Sequence, residues 1–204
     1  AFVSCDNLTE LHIPASLKSI GNNAFFACEN LTNIRANSDL KSIGASAFEN
    51  CNSLTNIKIP DSVTRIEYRT FYNCYSLTSI TIPDSVTSIG DAAFSNCDSL
   101  TSITIPDFVN NIGTSSFSSC TSLKSVTIGN GVNIIGKAAF MNCNYLESIT
   151  IGDGVTSIGS GAFYGCILLE SIVFEGNSQL TSIESSAFSG CSSLTNVYYN
   201  GAIE

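Results

Sequence analysis

The chain has 204 residues, 44% of them hydrophobic and 12% charged, which is enough apolar material for a sizeable core. A formal net charge of −9 excludes a general nucleic-acid or anionic-membrane binder, because both need clustered Lys and Arg. No run of about 18 apolar residues occurs, which excludes a membrane-spanning helix.

The opening Ala1-Phe2-Val3-Ser4-Cys5 reads as the end of a unit whose beginning is missing, so the expectation is a segment of a longer protein. From there a repeat runs through the chain. Cysteines fall at Cys5, Cys28, Cys51, Cys74, Cys97, Cys120, Cys143, Cys166 and Cys191, spaced by 23 residues except for a last interval of 25. Phenylalanines keep the same beat three positions earlier, from Phe2 to Phe188. We read residues 1–204 as one domain of about eight complete units with a partial unit at each end.

The unit starting at Cys74 shows the predicted elements in order. The segment L-T-S-I-T-I alternates apolar and polar residues, as a half-buried strand does. Ile80 and Ile82 then face the core while Ser79 and Thr81 face solvent. Pro14, Pro60, Pro83 and Pro106 each follow such a strand, and the missing N–H marks where pairing stops. V-T-S-I-G predicts a second short extended segment, and D-A-A-F one helical or 3₁₀ turn. Such a unit cannot bury its apolar face alone, so stacked neighbours must cover it. One sheet should be parallel, with coils roughly 5 Å apart.

Departures from the pattern carry information. Gly21, Gly44, Gly90, Gly113, Gly136 and Gly159 share a position that Glu67 and Glu184 also occupy, so it should not demand a positive φ. Ala36 replaces the second strand isoleucine and should leave a poorly filled spot. Two extra residues around 175–179 predict a longer surface turn.

The phrase I-P-x-S-V-T-x-I-G-x-x-A-F-x-x-C-x-x-L-T-x-I, recurring along essentially the whole chain, resembles the BspA-like leucine-rich-repeat family. The resemblance implies a right-handed repeat solenoid with a parallel β-sheet on one face and short extended or 3₁₀ segments on the other. It also implies a surface or secreted location and adhesion to host matrix or plasma proteins or to neighbouring cells. It supplies no catalytic residues and no cofactor.

The outward strand columns are the candidate binding face. One reads Glu10, Asn33, Asn56, Ser79, Ser102, Ser125, Ser148, Ser171 and Asn196. The other reads His12, Arg35, Lys58, Thr81, Thr104, Thr127, Thr150, Val173 and Tyr198, changing from cationic to hydroxyl-bearing to apolar and aromatic. Arg35 and Lys58 could pair with acidic groups of a protein or glycan partner, and Tyr198 could anchor it. The bland alternative is a face that only keeps the sheet soluble, or spacer repeats that present another domain. A remote one is an ice-binding hydroxyl array, which curvature would spoil.

Other constellations are weaker. The cysteine spacing fits neither a chelating motif nor a disulfide framework, and parallel stacking points successive Cβ atoms the same way, so buried reduced thiols are expected. Asp61, Asp84, Asp107, Asn130 and Asp153 form a second column, which could hold calcium or bond the backbone of its own turn. With His12 as the one histidine, a hydrolase triad or histidine-based metal centre is hard to assemble.

Overall fold

In a computed structural model, described for residues 2–35 and 39–199, the chain winds as a solenoid of parallel strands with no helix among the described residues. Each unit contributes two strands. The odd-numbered ones form a front sheet: β1 (Glu10–His12), β3 (Asn33–Arg35), β5 (Asn56–Lys58), β7 (Ser79–Thr81), β9 (Ser102–Ile105), β11 (Ser125–Ile128), β13 (Ser148–Ile151), β15 (Ser171–Phe174) and β17 (Asn196–Tyr199). The even-numbered ones, two residues each, form a back sheet: β2 (Ser19–Ile20), β4 (Ser42–Ile43), β6 (Arg65–Ile66), β8 (Ser88–Ile89), β10 (Asn111–Ile112), β12 (Ile134–Ile135), β14 (Ser157–Ile158) and β16 (Ser182–Ile183). The expected alternation holds: Ile80 and Ile82 are buried, and Ser79 and Thr81 are exposed.

Between the sheets the core is built in columns. Leu54, Leu77, Leu100, Leu123 and Leu146 are fully buried, as are Phe48, Phe71, Phe94, Phe117, Phe140 and Phe163. The phenylalanine rings from Phe2 to Phe188 stack face to face, with centroids 5.1–5.7 Å apart and planes within 12°. That spacing is one coil step, so ring stacking and strand pairing share a repeat.

The D-A-A-F segment keeps the i→i−3 bonds of a tight turn but is not a helix. Ala24 N–H donates to Gly21 O, Phe26 N–H to Asn23 O and Cys28 N–H to Phe25 O. The intervening N–H groups of Asn23, Phe25 and Ala27 reach out to carbonyls of the next coil at 2.8–2.9 Å. Two residues per unit hold a positive φ to aim them, such as Asn23 (54°) and Ala27 (55°), or Ala92 (53°) and Asn96 (60°). A helix would turn these donors inward; the left-handed residues spend them on coil stacking instead.

The shared glycine column has no positive φ, as its glutamates suggested. It answers to close approach: a Cβ on Gly113 would stand 2.6 Å from the backbone carbon of Gly90. Glu184 tolerates the position with its N–H still bonded to Ile158 O at 2.9 Å, whereas Glu67 lies where the back sheet divides between β4 and β6. The insertion is an exposed turn with Gly176 at φ 52°. Ala36 lies outside the described residues.

The front sheet departs from expectation by falling into two pieces. One contains β1, β3, β5 and β7; the other contains β9 through β17. The division falls where three-residue strands give way to four-residue strands. Pro60, Pro83 and Pro106 cannot donate, while Gly129, Gly152 and Glu175 do, to Ile105, Ile128 and Ile151 at 2.8–2.9 Å.

Candidate functional site

Strand register places the outward residues in rows. His12 is paired with Arg35, Lys58 with Thr81, Thr127 with both Thr104 and Thr150, and Val173 with both Thr150 and Tyr198. Asn33↔Asn56 and Ile34↔Ile57 put Arg35 and Lys58 at equivalent places on neighbouring strands. His12, Arg35, Lys58, Thr81, Thr104, Thr127 and Tyr198 are exposed, and Thr150 is half-buried. The division between β7 and β9 separates Thr81 from Thr104, so the row is brought together as two groups.

The cationic end is tempered by Glu10, whose Oε2 lies 3.8 Å from His12 Nε2 with both side chains open to solvent. No ion pair holds Arg35 or Lys58 among the described residues, leaving both charges available to an outside group. At the other end Tyr198 is half exposed, and its neighbour Tyr199 stacks on Phe174 at 4.9 Å.

Where β7 faces β9 a cleft of about 390 Å³ opens on the front, lined by Ser79, Thr81, Asp84, Ser102, Thr104 and Pro106 above Ile80 and Ile103. Its rim lacks the backbone bond that the flanking coils make and the hydroxyl bond of the coil before it. Thr78 donates both N–H and Oγ1 to Thr55 O, at 3.1 and 3.2 Å, and Lys124 N–H donates to Thr101 O at 2.9 Å. Thr101 makes neither bond to Thr78 among the described residues.

The cysteine and aspartate columns resolve differently from each other. All nine thiols are free, and from Cys51 to Cys191 each donates to the phenylalanine carbonyl of the preceding coil at 3.2–3.4 Å. Burial pushes the Cys51 and Cys120 thiols up to about 12, and drives Cys74 and Cys97 well above the ordinary value near 9. In the second column two side chains, Asp107 and Asn130, bond the next coil rather than their own turn. Asp107 Oδ1 accepts from Asn130 N–H at 2.8 Å, and Asn130 Oδ1 from Asp153 N–H at 3.0 Å. No group of three or more His, Cys, Asp or Glu side chains suits a metal among the described residues.

Two arrangements went unnoticed in the sequence. Asn50, Asn73 and Asn96 form an amide chain with Nδ2–Oδ1 distances of 2.7 Å. Arg69 lies over the Tyr68 and Tyr72 rings, 5.1 and 4.6 Å from their centroids, with Glu49 Oε1 3.4 Å from its Nη1. The 23-residue spacing of the asparagines was the available signal for the first. The second depends on one arginine replacing a small residue and had none.

Comparison with known proteins follows the same lines. The model of the BspA type leucine rich repeat region matches residues 1–124 and 110–204. A leucine-rich repeat protein from Bacteroides ovatus is 30% identical with a TM-score of 0.76, covering 95% of this chain and 64% of its own. A leucine rich cell surface protein from Faecalibacterium prausnitzii is 29% identical with a TM-score of 0.58, over 99% of this chain and 62% of its own. The T. pallidum leucine rich repeat protein is 27% identical with a TM-score of 0.68, over 92% and 78%. The chain therefore spans less than two thirds of the first two. None of the curated proteins compared with it matches.

Proposed function

Because the chain belongs to the BspA-type leucine-rich-repeat family, we propose that it is a non-catalytic binding module of a surface or secreted protein, engaging a protein or glycan through its front sheet. One observation carries the reading. The second outward column changes from the charges of Arg35 and Lys58 through threonine hydroxyls to the Tyr198 ring, while the leucine, phenylalanine and cysteine columns of the repeat stay uniform. A sheet needed only for stacking has no use for such a gradient. A location at the cell surface agrees with the naming of the F. prausnitzii relative. The partner class is host matrix or plasma protein, or a glycan.

The test is capture of the chain by a panel of immobilised matrix and plasma proteins, with Arg35→Ala, Lys58→Ala and Tyr198→Ala combined. The triple variant should bind at least tenfold more weakly. Unchanged binding removes this face. The near-identity of the middle units favours a second reading, a spacer that presents another domain. If a longer form binds a partner that this segment alone does not, the spacer reading replaces the first.

A further inference from the structure

Resting on that reading, we propose that the cleft between β7 and β9 takes one lysine side chain of a protein partner. Three observations meet there. The first is Asp84, which lines the cleft and whose carboxylate accepts no hydrogen bond and joins no ion pair among the described residues. Further along the same column Asp107 and Asn130 spend a side-chain oxygen on the next coil. The second is a set of idle oxygens. The hydroxyls of Ser79, Thr81, Ser102 and Thr104 line the same cleft and have no partner among the described residues. Thr101 bonds neither through N–H nor through Oγ1 to Thr78, which leaves the Thr78 carbonyl as one more acceptor at the rim. The third is the floor. Ile80 is 9% exposed, while its equivalents Ile34, Ile57, Ile103, Val126, Ile149 and Ile172 are at 1–4%. Ile82 is 5% exposed, against 0–2% for Ile59, Ile105, Ile128 and Ile151.

The rest of the coil is closed, which limits what can enter. Ser99 N–H donates to Tyr75 O at 3.0 Å, Asn110 N–H to Thr87 O at 2.9 Å, and β8 pairs with β10 in register. Segments 76–86 and 100–109 are thus pinned at both ends. A peptide strand inserted between two strands needs them roughly 10 Å apart, twice the ordinary spacing, which the pins forbid. A side chain can enter where a strand cannot. Charge then selects it. The lining holds one carboxylate and no Lys or Arg, so an anion is opposed. Residues 70–204 carry two Lys and Arg against ten Asp and Glu, so the surrounding field draws a cation. Lysine joins a cation to an apolar stem: its methylenes cover Ile80 and Ile103, and its ammonium carries three donors. Acceptors lie on both walls of the cleft, which suits an ammonium better than the flat fork of a guanidinium. Arg35 and Lys58 precede the cleft on the same face. The partner therefore offers acidic groups to them and its lysine about one and a half coil steps, roughly 7 Å, beyond Lys58.

The experiment presents the panel of matrix and plasma proteins both native and with their lysines acetylated, and compares wild type, Asp84→Asn and Asp98→Asn. Asp98 lies outside the front sheet, in the turn after Cys97, and its variant makes the same change of net charge. Asp84→Asn should weaken capture of a native partner at least fivefold, and Asp98→Asn should change it less than twofold. Acetylation should weaken capture of wild type at least fivefold and that of Asp84→Asn less than twofold, because the two changes remove one contact. A second readout uses N-acetyl-lysine methylamide alone. At millimolar concentration it should shift the backbone amide resonances of 79–82 and 101–104 and not those of 125–128, and the norleucine analogue should shift neither. Equal capture by wild type and Asp84→Asn, acetylation that acts equally on both, or no shift with the lysine probe overturns the proposal. If capture survives Asp84→Asn but is lost in the Arg35/Lys58/Tyr198 triple variant, the cleft fails and the broader reading stands. If no panel protein is held, both fail.

Discussion

A thiol in the corner of each coil donates to the phenylalanine carbonyl of the coil before it, and this bond exists only while the sulfur keeps its proton. Burial raises the Cys51, Cys74, Cys97 and Cys120 thiols above their ordinary value near 9. In the unfolded chain the same groups release protons near pH 9. Above that pH the unfolded state binds fewer protons than the folded one, and stability falls as pH rises. Each such thiol contributes up to about 1.4 kcal/mol per pH unit. Melting temperature should be nearly flat from pH 7 to 8.5 and drop steeply between pH 9 and 11. Replacing Cys74 and Cys97 by Ala should flatten that drop; an unaltered slope would detach it from the thiols. Backbone strain sits at the same scale. Ala92 and Ala138 hold φ at 53°, where Gly161 stands in the following unit at 63°. Ala92→Gly and Ala138→Gly should each stabilise by about 0.5–1 kcal/mol, since relief of the left-handed Cβ outweighs the added chain entropy. The urea midpoint measures this, and a lower midpoint in both variants would contradict it.

At the scale of one coil on the next, side chains finish what the strands begin. Asp107 spends a carboxylate oxygen on Asn130 N–H, so a cation has fewer free ligands there than the bare acidic column suggested. Asp107→Ala should cost about 1 kcal/mol, and calcium or EDTA should leave the wild-type melting temperature unchanged. A calcium-dependent rise would return a cation to the column. Phe108 tests the opposite case, a coil step from which a bridge is missing. Phe108→Ser offers a hydroxyl where Ser62 and Ser85 carry one and should stabilise by about 0.5–1.5 kcal/mol. Faster amide exchange at residues 101–104 in that variant would show that the strands had not drawn together.

Across the whole molecule, what the sequence makes plain is whatever repeats within one unit. Alternation places Ile80 inward and Thr81 outward with no freedom left, and the candidate face from His12 to Tyr198 follows from it. What escapes is whatever depends on the relation between two units. Asn50, Asn73 and Asn96 read singly as turn residues, and only stacking makes them a chain of amides. Phe108 reads as a surface substitution until the serine it replaces is known to reach the previous coil. The break between β7 and β9 likewise sits between prolines and glycines that look interchangeable as strand terminators. That break has a mechanical consequence. Nearly all hydrogen bonds between coils run along the solenoid axis, so a pull on the two ends loads each coil junction in series. Junctions with a divided sheet yield first, so the rod opens under tension at the front break between β7 and β9 and at the back break between β4 and β6. Every further coil then pays out 23 residues, about 80 Å of extended chain, so the protein would lengthen in discrete steps and blunt a sudden load.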